Sequence, residues 1–238
     1  VPVDNNGNRL ATSENYVWVG DVKFKDVGGS DGVPDGKIDT YDQTNIGNPW
    51  PKFFGGFTNT FSYKGFELSI LLTFSQGNDI FNFIAWQNNN PHNVYLGRNL
   101  MNSANNFARL TTNNEGATVI SNPGADLPRL SISNGDVNGN WNRFTNKWVE
   151  DGSYIRVKNI SLAYTLPSAL VSKQPLIKEA KIILSAQNIA TLTGYKGYDP
   201  EVGAYVGANV NANNQAIGVD YDRYPLTPIY TFNLILNF

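Results

Sequence analysis

The sequence predicts an all-β, antiparallel fold, and three observations carry that expectation. Five segments alternate apolar and polar side chains with a period of two. The joins between them run short, long, short, long. The composition, 41% hydrophobic and 13% aromatic but only 16% charged over 238 residues, carries too much apolar surface for a disordered chain. No stretch approaches the roughly 18 consecutive apolar residues of a membrane-crossing helix, which leaves strands as the only route across a bilayer.

In chain order, residues 1–52 read as an outer loop that carries an acidic turn. The first strand is 53–63, with Phe53, Phe57, Phe61 and Tyr63 on one parity. Lys64-Gly65 makes a tight hairpin turn into the second strand, 66–76, where Phe66, Leu68, Ile70, Leu72 and Phe74 oppose Glu67, Ser69, Leu71, Thr73 and Ser75. A loop over 77–151 leads to the third, 152–166, in which Ile160, Leu162, Tyr164 and Leu166 oppose Asn159, Ser161, Ala163 and Thr165. A short join leads to the fourth, 179–192, with Ala180, Ile182, Leu184 and Ala186 against Lys181, Ile183, Ser185 and Gln187. The loop 193–225 then leads to the fifth, 226–238, where Tyr230, Phe232, Leu234, Leu236 and Phe238 share one side.

Alternation alone fits two architectures. In a soluble sandwich the apolar sides meet in a shared core; in a membrane barrel they face lipid. Connection lengths favour the barrel, with brief turns on one side and long loops rich in Asn and Gly on the other. With Phe238 on the short-turn side, the parity of five strands places 1–52 on the long-loop side too. Phe61, Tyr63, Phe66, Tyr164 and Phe238 fall near the short-turn ends, where an aromatic girdle belongs. Arg156 and Lys158 are expected near the top of their strand, because a lipid-facing cation at the midplane costs about 2 to 4 kcal/mol.

The chemistry available is narrow. There is no Cys for disulfides, thiolate metal sites or nucleophiles, and His92 is the lone histidine. A balance of 18 basic and 20 acidic residues without a basic run gives no nucleic-acid footprint. No carboxylate pair stands out for glycoside hydrolysis, so the chain reads as a non-enzyme.

One constellation has metal-ligand spacing. Across residues 31–42, Asp31, Asp35, Asp39 and Asp42 occupy positions 1, 5, 9 and 12 of a calcium-type loop, with Gly36 at the turn and Lys37 at the backbone-carbonyl position. Val33 stands where position 3 takes a side-chain oxygen, and Asp42 is shorter than the usual bidentate Glu. Bound Ca²⁺ and a solvated acidic turn are both open readings. For substrate or partner contact the candidates are loop aromatics, Trp86, Trp141, Tyr195, Tyr198, Tyr205 and Tyr221, each with loop packing as the competing role. Asp199, Glu201 and Arg223 are candidates for pairing with one another or with a partner.

Several ordered segments resemble the C-terminal region of SusC/RagA-type TonB-linked outer-membrane proteins of the Bacteroidota. They begin with Gly20-Asp21-Val22-Lys23-Phe24-Lys25-Asp26, Asp35-Gly36-Lys37-Ile38-Asp39 and Ile46-Gly47-Asn48-Pro49-Trp50-Pro51-Lys52-Phe53. Phe57 to Leu68, Glu150 to Tyr164, Ser185-Ala186-Gln187-Asn188, Tyr195-Lys196-Gly197-Tyr198-Asp199-Pro200-Glu201 and Gly218-Val219-Asp220-Tyr221 with Tyr224-Pro225 follow in order.

The resemblance implies the last five strands of a large, plugged barrel of the TonB-dependent transporter type in the bacterial outer membrane, C-terminus periplasmic and long loops extracellular. It implies import of oligosaccharides or peptides with a SusD-like surface lipoprotein, powered through TonB and its motor complex. The plug and the TonB-contacting segment are absent from the sequence, and five strands do not close a barrel. The sequence therefore reads as part of a longer polypeptide or as a fragment completed by another chain. The alternative is a soluble secreted all-β carbohydrate-binding module.

Overall fold

A computed structural model describes residues 17–131, 136, 138–172, 176–206, 215–221 and 223–238, with backbone alone at 204–206 and 215–216. The first sixteen residues of the expected 1–52 loop lie outside the described residues. The chain divides into two compact units, Gly47–Asn82 with Val149–Phe238, and Val1–Ile46 with Phe83–Trp148.

In chain order the strands are β1 (Phe53–Tyr63), β2 (Phe66–Gln76), β3 (Asp79–Phe81), β4 (Leu110–Thr112), β5 (Thr118–Ile120), β6 (Val149–Asp151), β7 (Tyr154–Thr165), β8 (Glu179–Thr193), β9 (Ala204–Val206), β10 (Gln215–Ile217) and β11 (Ile229–Asn237). Short helices α1 (Phe83–Asn89), α2 (His92–Tyr95) and α3 (Ser168–Val171) complete the framework. No helix among the described residues is long and apolar enough to cross a membrane.

The first unit is built on a five-stranded antiparallel sheet in the order β1-β2-β7-β8-β11. The β1–β2 hairpin turns through Lys64 and Gly65 at φ 46° and 85°, the pair of positive values that a two-residue turn matched to strand twist requires. A Cβ on Gly65 would stand 2.9 Å from the Thr165 carbonyl oxygen, so the turn is closed to any side chain there.

Register puts like with like on each face. On one face, Phe61, Leu68, Leu162, Leu184 and Phe232 form a continuous cross-strand row, and Tyr63, Phe66, Tyr164, Ile182 and Leu234 form the next. The Phe66 and Tyr164 rings stack with centroids 4.2 Å apart. On the opposite face, Thr60, Ser69, Ser161, Ser185 and Thr231 line up in register, a strip of five hydroxyls across five strands. The apolar face is open, with Tyr230 75%, Phe232 65% and Leu234 54% exposed. Among the described residues no second sheet covers it, which removes the shared core that a sandwich needs.

A register shift between Val157 and Asn159 breaks the alternation of β7, and β2 shows its counterpart between Leu71 and Leu72. Leu72 pairs with Val157 and Leu71 with Asn159, which leaves Lys158 as the extra residue of a β-bulge. The bulge flips side-chain parity. Below it the odd residues Asn159 and Ser161 carry the polar face; above it the even residue Arg156, paired with Thr73, carries the same face while Ile155 and Val157 join the apolar one. A cation that unbroken alternation assigns to the side of Ile160 and Leu162 thus points the other way.

The second unit shows that 77–151 is more than irregular loop. Its centre is Trp141, 1% exposed, whose indole N–H donates to the Arg129 carbonyl at 3.3 Å. Asp21 accepts from Arg129 Nε at 2.6 Å, from Asn140 Nδ2 at 2.8 Å and from the Trp18 N–H at 2.7 Å. Asp136 accepts from the Ser131 hydroxyl and from the N–H groups of Asn140 and Trp141. Side chains rich in Asn, Asp and Ser satisfy buried backbone here in place of regular ladders.

Candidate functional site

At the long-loop end of the five-stranded sheet, four charged residues converge on the polar face. Arg156 is 2% exposed, and every direction of its guanidinium is taken. Nε donates to Thr191 Oγ1 at 2.9 Å, Nη1 to Glu201 Oε2 at 3.0 Å, and Nη2 to Asp199 Oδ1. Its Cζ lies 5.6 Å from the Tyr154 ring centroid, a cation–π contact on the fourth side. Lys158, projected by the bulge, donates to both oxygens of Glu201 at 3.1 and 3.0 Å.

Asp199 gathers more than one segment. Beyond Arg156 it accepts the Glu201 N–H at 2.9 Å and the Leu226 N–H at 3.0 Å. Burial pushes its carboxyl upward, but the two backbone N–H groups and Arg156 outweigh that and hold it below the usual carboxylate range. Two positive and two negative side chains leave the cluster with no net charge.

A second anchor stands beside it. The Tyr195 hydroxyl donates to Asp220 Oδ2 at 2.7 Å, and both side chains are buried. Burial, reinforced by the Asp220 carboxylate, raises the Tyr195 phenol far above its ordinary value, so it stays a donor. The Asp220 N–H donates to the Phe81 carbonyl at 3.0 Å, and Glu150 accepts the Lys196 N–H at 2.8 Å. Ile80, Tyr195 and Val202 form the apolar cluster under this segment.

Between the held segment and the sheet lies a cleft of about 420 Å³, with Trp50, Phe54, Thr73 and Tyr154 on one side and Pro200, Glu201 and Val202 on the other. Thr73 Oγ1 is buried without a hydrogen-bond partner among the described residues.

The aromatics singled out in the sequence divide by burial. Trp141 and Tyr195 are buried and spend their polar atoms internally, so neither presents a ring to an outside ligand in this conformation. Trp86, on α1, packs against Phe83 and Phe144 with ring centroids 5.1 and 5.0 Å away. Tyr198 is exposed and Tyr221 half-buried. Tyr205 lies in β9, and its side chain is outside the described residues.

The acidic loop does not converge. Asp31 accepts the Val33 N–H, Asp35 the Lys37 N–H, and Asp39 the Tyr41 N–H. Asp42 accepts from Asp39, Val27 and Gly28, and the Asp39 N–H is the first cause of its lowered pKa. Among the described residues no group of three His, Asp or Glu side chains is placed to hold a metal ion. The calcium spacing is present in sequence, and in this conformation its carboxylates cap backbone N–H groups of their own loop.

Sequence reading missed the partnership of Arg156 and Lys158 with Asp199 and Glu201. A signal was available, since two cations and two carboxylates share the same two-residue spacing.

No family model matches the chain. It is 33% identical over 203 residues to TonB-dependent receptor P3 of Formosa agariphila, which covers 85% of this chain and 18% of that protein. It is 24% identical over 204 residues to TonB-dependent receptor SusC of Bacteroides thetaiotaomicron, 85% of this chain and 17% of that one. Among solved structures it is similar to the RagAB peptide transporter, at TM-score 0.59 and 26% identity over 79% of this chain and 17% of that chain. The chain spans about a fifth of the length of the curated relatives it matches.

Proposed function

We propose that the chain, a SusC/RagA-type segment whose sheet is a piece of barrel wall, serves in a TonB-dependent importer of the bacterial outer membrane. The observation that carries this reading is the two-faced sheet: a continuous, open apolar face for lipid and a hydroxyl-lined face for the interior. Edge strands β1 and β11 are each paired on one side only among the described residues. In hydrocarbon such edges leave backbone groups unsatisfied, so the working form pairs them with further strands.

In this reading the long-loop end faces the cell exterior and Phe238 the periplasm. Cargo is a polar oligomer, oligosaccharide or peptide, delivered with a SusD-like surface lipoprotein, and TonB supplies the energy through the remainder of the polypeptide. The chain's own residues provide wall and loop anchoring, with no catalytic role.

The test uses the full-length gene product. Extraction only with detergent, a mobility shift on boiling in SDS, co-purification with a lipoprotein, and TonB-dependent uptake of a labelled oligosaccharide or peptide are expected. A monodisperse particle extracted in plain buffer overturns the reading in favour of the soluble carbohydrate-binding module.

A further inference from the structure

We infer that residues 195–203 form a strap latched to β7 by Arg156, and that this latch sets the shape of the cleft of about 420 Å³ beneath it. The sheet supplies one side of that cleft through Phe54, Thr73 and Tyr154; the strap supplies the other through Pro200, Glu201 and Val202. The cleft therefore exists only while the strap is down.

Three features make the placement of the strap depend on the latch. It is fastened at the Asp199 and Glu201 carboxylates, the Tyr195–Asp220 hydrogen bond, the Tyr195 and Lys196 N–H groups to Thr193 and Glu150, and the apolar trio Ile80, Tyr195 and Val202. Asp199 is the common node, since it holds Arg156, the Glu201 N–H and the Leu226 N–H together, so its loss frees both the strap and the approach to β11. Arg156, left buried without Asp199, shares the single carboxylate of Glu201 with Lys158, and the relief for that excess positive charge is water, which reaches it by way of the cleft. Arg156 acts here as a positioning residue, and the groups facing it are Tyr154, Lys158, Thr191, Asp199 and Glu201.

The experiment uses the full-length barrel protein in detergent or vesicles and rests on the barrel reading above. The chain has no native cysteine, so Val202→Cys places the sole thiol of this segment on the buried side of the strap. Labelling by an impermeant maleimide, mapped by mass spectrometry, is expected to be slow in that variant. Adding Asp199→Asn accelerates it on the order of tenfold or more. Arg156→Lys, which keeps the charge but loses the fork, gives an intermediate rate. Asp126→Asn, remote from the strap along the chain, leaves the rate unchanged.

Amide exchange on the protein with native Val202 is the second measurement, with peptides over 195–203 losing protection in Asp199→Asn alone. Equal labelling and equal exchange with and without Asp199→Asn, in a protein whose mobility still shifts on boiling, overturn the latch. Fast labelling of Val202→Cys itself hands the decision to the exchange data. Failure of the boiling shift in the native sequence counts against the barrel reading instead, so the two failures are distinguishable.

Discussion

Arg156 and Asp199 form a buried ion pair across 43 residues of sequence, and the pair joins a sheet strand to the segment that folds back over it. A buried pair is weak evidence for net stability, because desolvating both ions offsets much of their attraction. Its effect is on geometry: a fork with three fixed partners admits one placement of the segment.

Removing one member is therefore expected to cost more than removing both. Arg156→Met alone strands Asp199 and destabilises the local fold by about 3 to 5 kcal/mol, whereas Arg156→Met with Asp199→Asn costs less than the sum of the singles. Urea-dependent amide exchange over 195–203 in the four-protein cycle reads the difference.

The latch has a one-sided pH dependence. The Asp199 carboxyl is held below the usual carboxylate range in the fold, so its contribution is present above the unfolded pKa and is lost as pH falls through the still lower folded value. Protection of 195–203 is expected to stay flat from neutrality to about pH 5 and to decline only below about pH 4. A decline centred near pH 6 contradicts this assignment.

Face identity is testable by charge. Leu184→Lys places a cation on the open apolar face and is expected to cost about 2 to 4 kcal/mol in lipid if it sits near the midplane. Ser185→Lys, one residue on and facing the other way, is expected to be near neutral. Folding yield into vesicles, read by the boiling shift, compares the two.

The hairpin turn depends on its glycine. Gly65→Ala at φ 85°, with the Thr165 oxygen 2.9 Å from the new Cβ, is expected to destabilise the β1–β2 hairpin by about 1 to 2 kcal/mol. Denaturant titration of the refolded barrel measures it.

Deleting Lys158 removes the bulge. Val157 and Asn159 then become neighbours that keep their partners Leu72 and Leu71 and their opposite faces, so Arg156 stays on the polar side. The boiling shift is expected to persist, while loss of the Lys158 contacts to Glu201 lowers amide-exchange protection over 195–203.

How much of this was legible in the sequence follows from the range of each interaction. Strands announce themselves locally, because a face in lipid forces alternation on consecutive residues, and Phe66 to Phe74 or Tyr230 to Phe238 carry that pattern without interruption. A bulge is one residue long and leaves the letters on both sides looking regular, so Arg156 and Lys158 read as continuing the parity of Ile160. The expectation that they sit high on the strand, away from hydrocarbon, came from cost alone; the structure adds the turn of face. Ion pairs such as Arg156–Asp199 leave no alternation to read, only the two-residue spacing that Arg156 and Lys158 share with Asp199 and Glu201. The acidic loop is ambiguous for a different reason: its spacing matches a calcium loop, but spacing does not say whether Asp39 and Asp42 prefer an ion or the N–H groups of their own turn.

The hydroxyl strip from Thr60 to Thr231 carries no formal charge along its whole width. Each contact made there replaces one neutral hydrogen bond by another, a net change of about 1 kcal/mol or less. Nothing lying against that strip is gripped, and nothing must shed an ion's hydration shell to leave it. It is a wall that wets and releases with equal ease.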